Sequence, residues 1–218
     1  ALIAPDRVLT AAHCLYDKHT GERIDHARME FRAGWRNGRA SAYRGIRRAV
    51  THPDYSYRGA VSADGVRNDV ALLELHHPVR NTQVTPFDTG TRPRKGQEIG
   101  VVSYARDRAD APSLQHVCDV MARQQGVLVM SCNVDFGASG APIFSFAGGV
   151  PRVVSVVSAM GRMDGRKVSL GTELEQPLAT LRAALTAGEG VFQADPPRMS
   201  TVGEPRDTGA KFARPGGS

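Results

Sequence analysis

A single all-β domain is the fold class this sequence predicts, and three observations predict it. Short runs of alternating or β-branched residues recur along the chain, broken by stretches rich in Gly, Pro, Asn and Asp. Helical spacing of apolar residues stands out in one late stretch, Pro177 to Leu185 (Leu178, Leu181, Leu185). At 218 residues and 41% hydrophobic content the chain can bury a sizeable core. No run approaches the roughly 20 apolar residues of a membrane span.

Ala1 to Thr10 reads as the second half of a hairpin running straight into Leu9-Thr10-Ala11-Ala12-His13-Cys14. A start in mid-hairpin points to an upstream segment, expected to have carried any signal peptide. Met29 to Gly34, Ala42 to Thr51 and Val70 to Leu75 follow as strands. Tyr57 to Asn68, rich in Gly, Ser, Asp and Arg, reads as an exposed loop, and His52, His76 and His77 as surface loop or strand-end residues. Thr85 to Gly96, with Pro86, Gly90 and Pro93, reads as a linker. Six more strands come next: Gln97 to Tyr104, Leu114 to Arg123, Val127 to Cys132, Pro142 to Phe146, Val150 to Ser158 and Lys167 to Leu174. The resulting organisation is 1–88, a linker at 89–96, 97–187, and a tail at 188–218. From about Ala194 the tail has no apolar periodicity and is expected to be disordered.

Chemistry concentrates in Asp135-Phe136-Gly137-Ala138-Ser139-Gly140-Ala141-Pro142. Gly137 and Gly140 admit backbone angles closed to other residues, so this is a tight turn with a hydroxyl at its tip. Such a turn can aim the N–H groups of Gly137 and Ser139 at one point, as an oxyanion hole requires. A serine in a glycine-rich turn is common, so further residues must decide. Upstream lie His13, in Thr10-Ala11-Ala12-His13-Cys14, and Asp69, opening the apolar run Asp69-Val70-Ala71-Leu72-Leu73. His13, Asp69 and Ser139 are separated by 56 and 70 residues, enough to build most of a barrel between each pair.

These three motifs, in this order, resemble those of the chymotrypsin/trypsin-like serine peptidases over residues 1–187, with some likeness to the bacterial glutamyl endopeptidases. The resemblance implies two packed antiparallel six-stranded β-barrels with a C-terminal helix, the N-terminal strands being absent. It implies a serine endopeptidase needing no cofactor, with Ser139 as nucleophile, His13 as general base and acid, and Asp69 orienting the imidazole. Protein or peptide substrates, a monomer and a secreted or periplasmic location follow as expectations. The alternative is a non-catalytic protein-binding module on the same fold, and esterase action would use the same residues.

Departures from the family pattern bear on activation and specificity. Trypsin-type enzymes carry, just before the nucleophile, an aspartate that pairs with a newly cleaved amine; here Ala138 cannot, as in the glutamyl-endopeptidase branch. The primary pocket is expected from Asn133 and Val134 at its base and Ser158, Ala159 and Met160 along its wall, with Ser158 also near Asp69. Asp135 lies off the position of a basal aspartate, and Val157 stands where glutamate-specific relatives carry a histidine. Met160 narrows the mouth, so a small or medium uncharged residue before the scissile bond is expected.

Cysteine and charge complete the reading. Cys118 and Cys132, 14 residues apart around Gly126, can meet across a hairpin as a disulfide, which requires an oxidising compartment. No C-x-x-C or H-x-x-x-H spacing points to a metal. The net charge of +6 is carried mostly by arginine. Arg44, Arg47 and Arg48 lie near alternating apolar positions with Tyr43 as their one aromatic neighbour, which fits a solvated strand face better than a nucleic-acid site.

Overall fold

Two β-sheet modules pack against each other in the computed structural model, which describes residues 1–59, 62–90, 92–104, 109–134 and 137–193. The first contains β1 (Leu2–Ala4), β2 (Arg7–Thr10), β3 (Glu30–Ala33), β4 (Ala42–Thr51) and β5 (Ala71–Leu75). The second contains β6 (Glu98–Ser103), β7 (Ser113–Gln124), β8 (Val127–Met130), β9 (Pro142–Ser145), β10 (Arg152–Met163) and β11 (Arg166–Thr172). Two helices, α1 (Ala63–Arg67) and α2 (Glu175–Ala187), and a last short strand, β12 (Phe192–Gln193), complete the order.

The second module is a closed antiparallel barrel in the order β10-β11-β8-β7-β6-β9. The first is a six-stranded sheet ordered β1-β2-β5-β4-β12, with β3 also on β4. This is the double-module all-β architecture expected, with the first module an open sheet among the described residues. Each module has its own core, one around Ile46, Leu73 and Leu75, the other around Ile99, Leu128, Met130 and Ile143. Leu9, Val50 and Leu72 of the first module meet Phe144, Val153 and Val156 of the second in a third cluster. Leu178, Leu181 and Leu185 of α2 seal that cluster, so the predicted helical spacing is the face that joins the halves.

Several elements differ from the sequence expectation, each for a local reason. Ala1 to Thr10 is a complete small hairpin, Leu2 facing Val8, because Pro5-Asp6 supplies a turn. The loop before Asp69 contains α1, capped by the Ser62 hydroxyl accepting from Gly65 N at 3.0 Å. β10 runs past Ser158 to Met163 and turns into β11 through Asp164-Gly165, both at positive φ (50° and 76°), a hairpin turn the pattern of apolar residues does not mark. The tail begins later than residue 188: Phe192 pairs with Ala49 of β4, with the Arg23 guanidinium 3.3 Å over its ring. Residues 194–218 lie outside those described. His52 is buried rather than superficial, its Nδ1 accepting from Asp54 N at 3.3 Å, whereas His76 and His77 are exposed. Arg48 is half-buried against Glu74, which also holds Arg7 at 3.0 Å, so that part of the basic strand face is spent within the sheet.

Candidate active site

His13 and Asp69 come together at the junction of the modules. His13 lies in a short 3₁₀ turn, Ala12–Leu15, that follows β2, and Asp69 lies between α1 and β5. Because β2 and β5 are paired neighbours, Thr10 opposite Ala71, both residues leave the same end of the sheet. Asp69 is 3% exposed and its charge is met by three donors. Oδ1 accepts from the His13 backbone N–H at 2.8 Å, and Oδ2 lies 2.6 Å from His13 Nδ1. The Ser158 hydroxyl donates to the same Oδ2. A carboxylate held this way places the imidazole proton on Nδ1 and leaves Nε2 as a base.

Ser158 reaches Asp69 through a bulge. On β10, Val157 pairs with Gly171 but Ala159 already pairs with Leu170, so the ladder slips at Ser158 and re-aims its side chain. β10 also fixes the serine turn: Gly140 N donates to Val157 O at 2.8 Å and Val157 N to Ala141 O at 2.9 Å. Gly140 adopts φ 72°, and a Cβ there would strike Thr10 Oγ1, with Ala11 N at 3.2 Å and Cys14 Sγ at 3.3 Å. The turn therefore packs directly onto the residues that carry His13.

Ser139 and Gly137 are exposed, and their N–H groups donate to no described atom. No described hydrogen bond joins the Ser139 hydroxyl to His13; the Cys14 sulfur lies 3.8 Å from Nε2, and Cys14 is a free thiol. Bonds between nucleophile and base are often long before substrate binds. Burial pulls the His13 pKa down, but the Asp69 hydrogen bond and the Cys14 sulfur outweigh it, and the net shift is upward, to about 10.

The other expected residues separate into two groups. Ser158 and Ala159 line a cleft of about 470 Å³ with His13 and Asp69. Asn133 and Met160 are exposed and Val134 packs into the second core, away from that cleft. Asp135 lies outside the described residues. The far wall of the cleft is Tyr55 and Tyr57, and Tyr57 stacks on Tyr16 at 5.1 Å, which the sequence reading did not foresee. The aromatic pair two residues apart was the available signal; the ring that Tyr57 stacks on lies 41 positions earlier, beyond any local pattern. Ala138 is 1% exposed in the same apolar cluster as the disulfide Cys118–Cys132, so burial holds this position. Among the described residues no cluster of His, Cys, Asp or Glu could hold a metal ion.

A family model described as a trypsin-like peptidase domain matches residues 1–151. Serine protease 23 of Homo sapiens is 28% identical over 159 residues, covering 66% of this chain and 41% of that protein. A glutamyl endopeptidase of Bacillus licheniformis is 24% identical over 144 residues, 66% of this chain and 43% of its own length. The chain thus spans about two fifths of the length of the curated relatives it matches. A solved Glu endopeptidase in complex with MPD superposes with a TM-score of 0.68 at 16% identity, covering 85% of this chain and 84% of that one. At that identity the likeness is one of fold, and the fold is chymotrypsin-like.

Proposed function

The chain belongs to the trypsin-like peptidase family, and from that premise we propose that it is a serine endopeptidase working through an acyl-enzyme. The observation that carries the reading is Asp69 holding both the main chain and Nδ1 of His13, at 2.8 and 2.6 Å, beside a serine turn packed on the same segment. Ser139 Oγ attacks the scissile carbonyl carbon while its proton passes to His13 Nε2. The negative oxygen is received by the N–H groups of Gly137 and Ser139. The C–N bond then breaks, the leaving amine takes the proton from His13, and water repeats the sequence in reverse to free the acid. Asp69 stays ionised and stabilises the imidazolium formed in each half.

The expected pocket residues Asn133, Val134, Ser158, Ala159 and Met160 carry no charge, which favours a small or medium uncharged residue before the scissile bond. The Cys118–Cys132 disulfide supports an oxidising location, secreted or periplasmic. The missing Ser139–His13 hydrogen bond favours a second reading, a binding module that does not turn over. A fluorophosphonate probe, which reacts with activated serines, decides between them. Labelling of the wild type that is lost in Ser139→Ala and in His13→Ala is expected; a wild type that takes no label overturns the peptidase reading.

A further inference from the structure

Resting on that peptidase reading, we propose that Thr172 is a positioning residue: it ties the main chain carrying Asp69 to the second barrel and so sets how the carboxylate meets His13. Thr172 ends β11 and is wholly buried. Its hydroxyl donates to Val66 O at 2.6 Å and also lies 3.3 Å from Asp69 O. One proton cannot serve both equally, so the shorter contact to Val66 is the main bond and Asp69 O takes the weaker share. Among the described residues Asp69 O has no other donor. A buried hydroxyl costs free energy unless it is bonded, and valine would fill the same volume. These two carbonyls are what the hydroxyl is there to meet.

Thr172 is itself fixed from behind. Ser155 of β10, also wholly buried, donates to Thr172 O at 2.8 Å. A Cβ on Gly171 would meet Ser155 Oγ, with Val156 O at 2.7 Å and Met130 Cε at 3.1 Å, so β10 and β11 approach as closely as glycine allows. On the other side, Val66 of α1 packs with Val127 and Ala159 of the barrel, and the Arg67 guanidinium donates to Gln125 Oε1 at 3.3 Å. β10 therefore reaches Asp69 by two routes. Ser158 orients the carboxylate directly, and the relay Ser155–Thr172 holds the main chain from which the carboxylate hangs. A shift of about 1 Å at a catalytic group can cost on the order of 100-fold in rate, and loosening the second route permits such a shift without touching the triad.

Thr172→Val removes the donor at constant volume, and Thr172→Ser restores the donor without the methyl group. Two quantities are read: the rate constant of fluorophosphonate labelling, and the low-field proton resonance of His13 Nδ1–H. In Thr172→Val the labelling rate should fall by about 10- to 100-fold and the resonance should move or broaden; in Thr172→Ser both should return close to wild type. Wild-type values in Thr172→Val, or equal losses in the serine and valine variants, overturn the proposal. Should Thr172→Val fail to fold, Ser155→Ala frees the Thr172 main chain while leaving its hydroxyl, and an unchanged rate and resonance in that variant overturn it too. A wild type that takes no label fails the peptidase reading instead, while the histidine resonance still reports on Thr172.

Discussion

Asp69→Asn tests the site most directly, because the geometry dictates which way the amide must turn. Oδ1 faces the His13 backbone N–H, a donor that cannot rotate or accept. The amide oxygen is therefore held at that position, and the NH₂ group takes the place of Oδ2, facing His13 Nδ1 and Ser158. Ser158 can turn its hydroxyl to accept. His13 can satisfy the new donor only by giving up the Nδ1 proton, which then resides on Nε2, where the base is needed. Losing one charge-assisted bond of about 1.5–3 kcal/mol sets a floor of roughly 10- to 150-fold on the rate. The reversed tautomer adds to it, and in trypsin-type triads, from which the magnitude is carried over, the whole exchange costs about 10⁴ in kcat. The pH profile moves as well. In the wild type the burial of His13 is outweighed by Asp69 and Cys14, so its pKa is raised and activity grows as pH climbs through that value. With asparagine the upward pull of Asp69 on the His13 pKa is lost, so the acid limb shifts to lower pH while the plateau collapses. Labelling rates from pH 5 to 11 measure both; a variant within tenfold of wild type, or a limb moved to higher pH, refutes the reasoning.

Three further changes probe the frame of the site. Gly140→Ala places a methyl group in left-handed backbone, costing about 1–2 kcal/mol, and drives it into Thr10 and Cys14; labelling should drop at least about 100-fold, and an unaffected rate would show that the turn does not pack on the His13 segment. Reduction of Cys118–Cys132, which closes a loop of sequence separation 14, should lower unfolding free energy by about 3 kcal/mol, read from denaturant curves with and without reductant. Ala138→Asp recreates the acidic residue of trypsin-type loops inside an apolar cluster. Stability should fall by about 3 kcal/mol or more, and an equal or higher melting temperature would mean that a partner for the charge exists there.

The strands were legible because runs of apolar and β-branched residues are bounded by turn-forming ones; Ala42–Thr51 is a strand at the positions the residues predict. His13 and Asp69, which the structure brings to 2.6 Å, each stand in a short motif, and the candidate nucleophile Ser139 stands in a third. What the sequence hid is long-range or locally atypical. The helix α1 spans five residues, too short for a periodic signal, and its stability comes from Val66 docking on the barrel rather than from propensity. The extension of β10 beyond Ser158 depends on pairing with β11 at Met160–Ser169 and onward, which no single-strand pattern encodes. Ala159 lines the cleft and also packs on Val66 and Val127, a contact between the barrel and α1 that no local pattern encodes.

Asp69 shows why the site could be named from sequence while its support could not. By position it precedes β5 of the first module, yet its environment is shared between the two. His13, 56 residues away, holds the carboxylate from the first module; Ser158, 89 residues away, holds it from the second; Thr172, 103 residues away, holds the main chain. A sequence motif records the group that reacts, because chemistry restricts its type. The partners that orient it need supply only a donor at the right point, a demand that many residues on many strands can meet. Changes at Ser158 or Thr172 should therefore lower the rate through geometry while leaving both module cores packed, whereas changes at Leu73 or Leu128 should act first on stability.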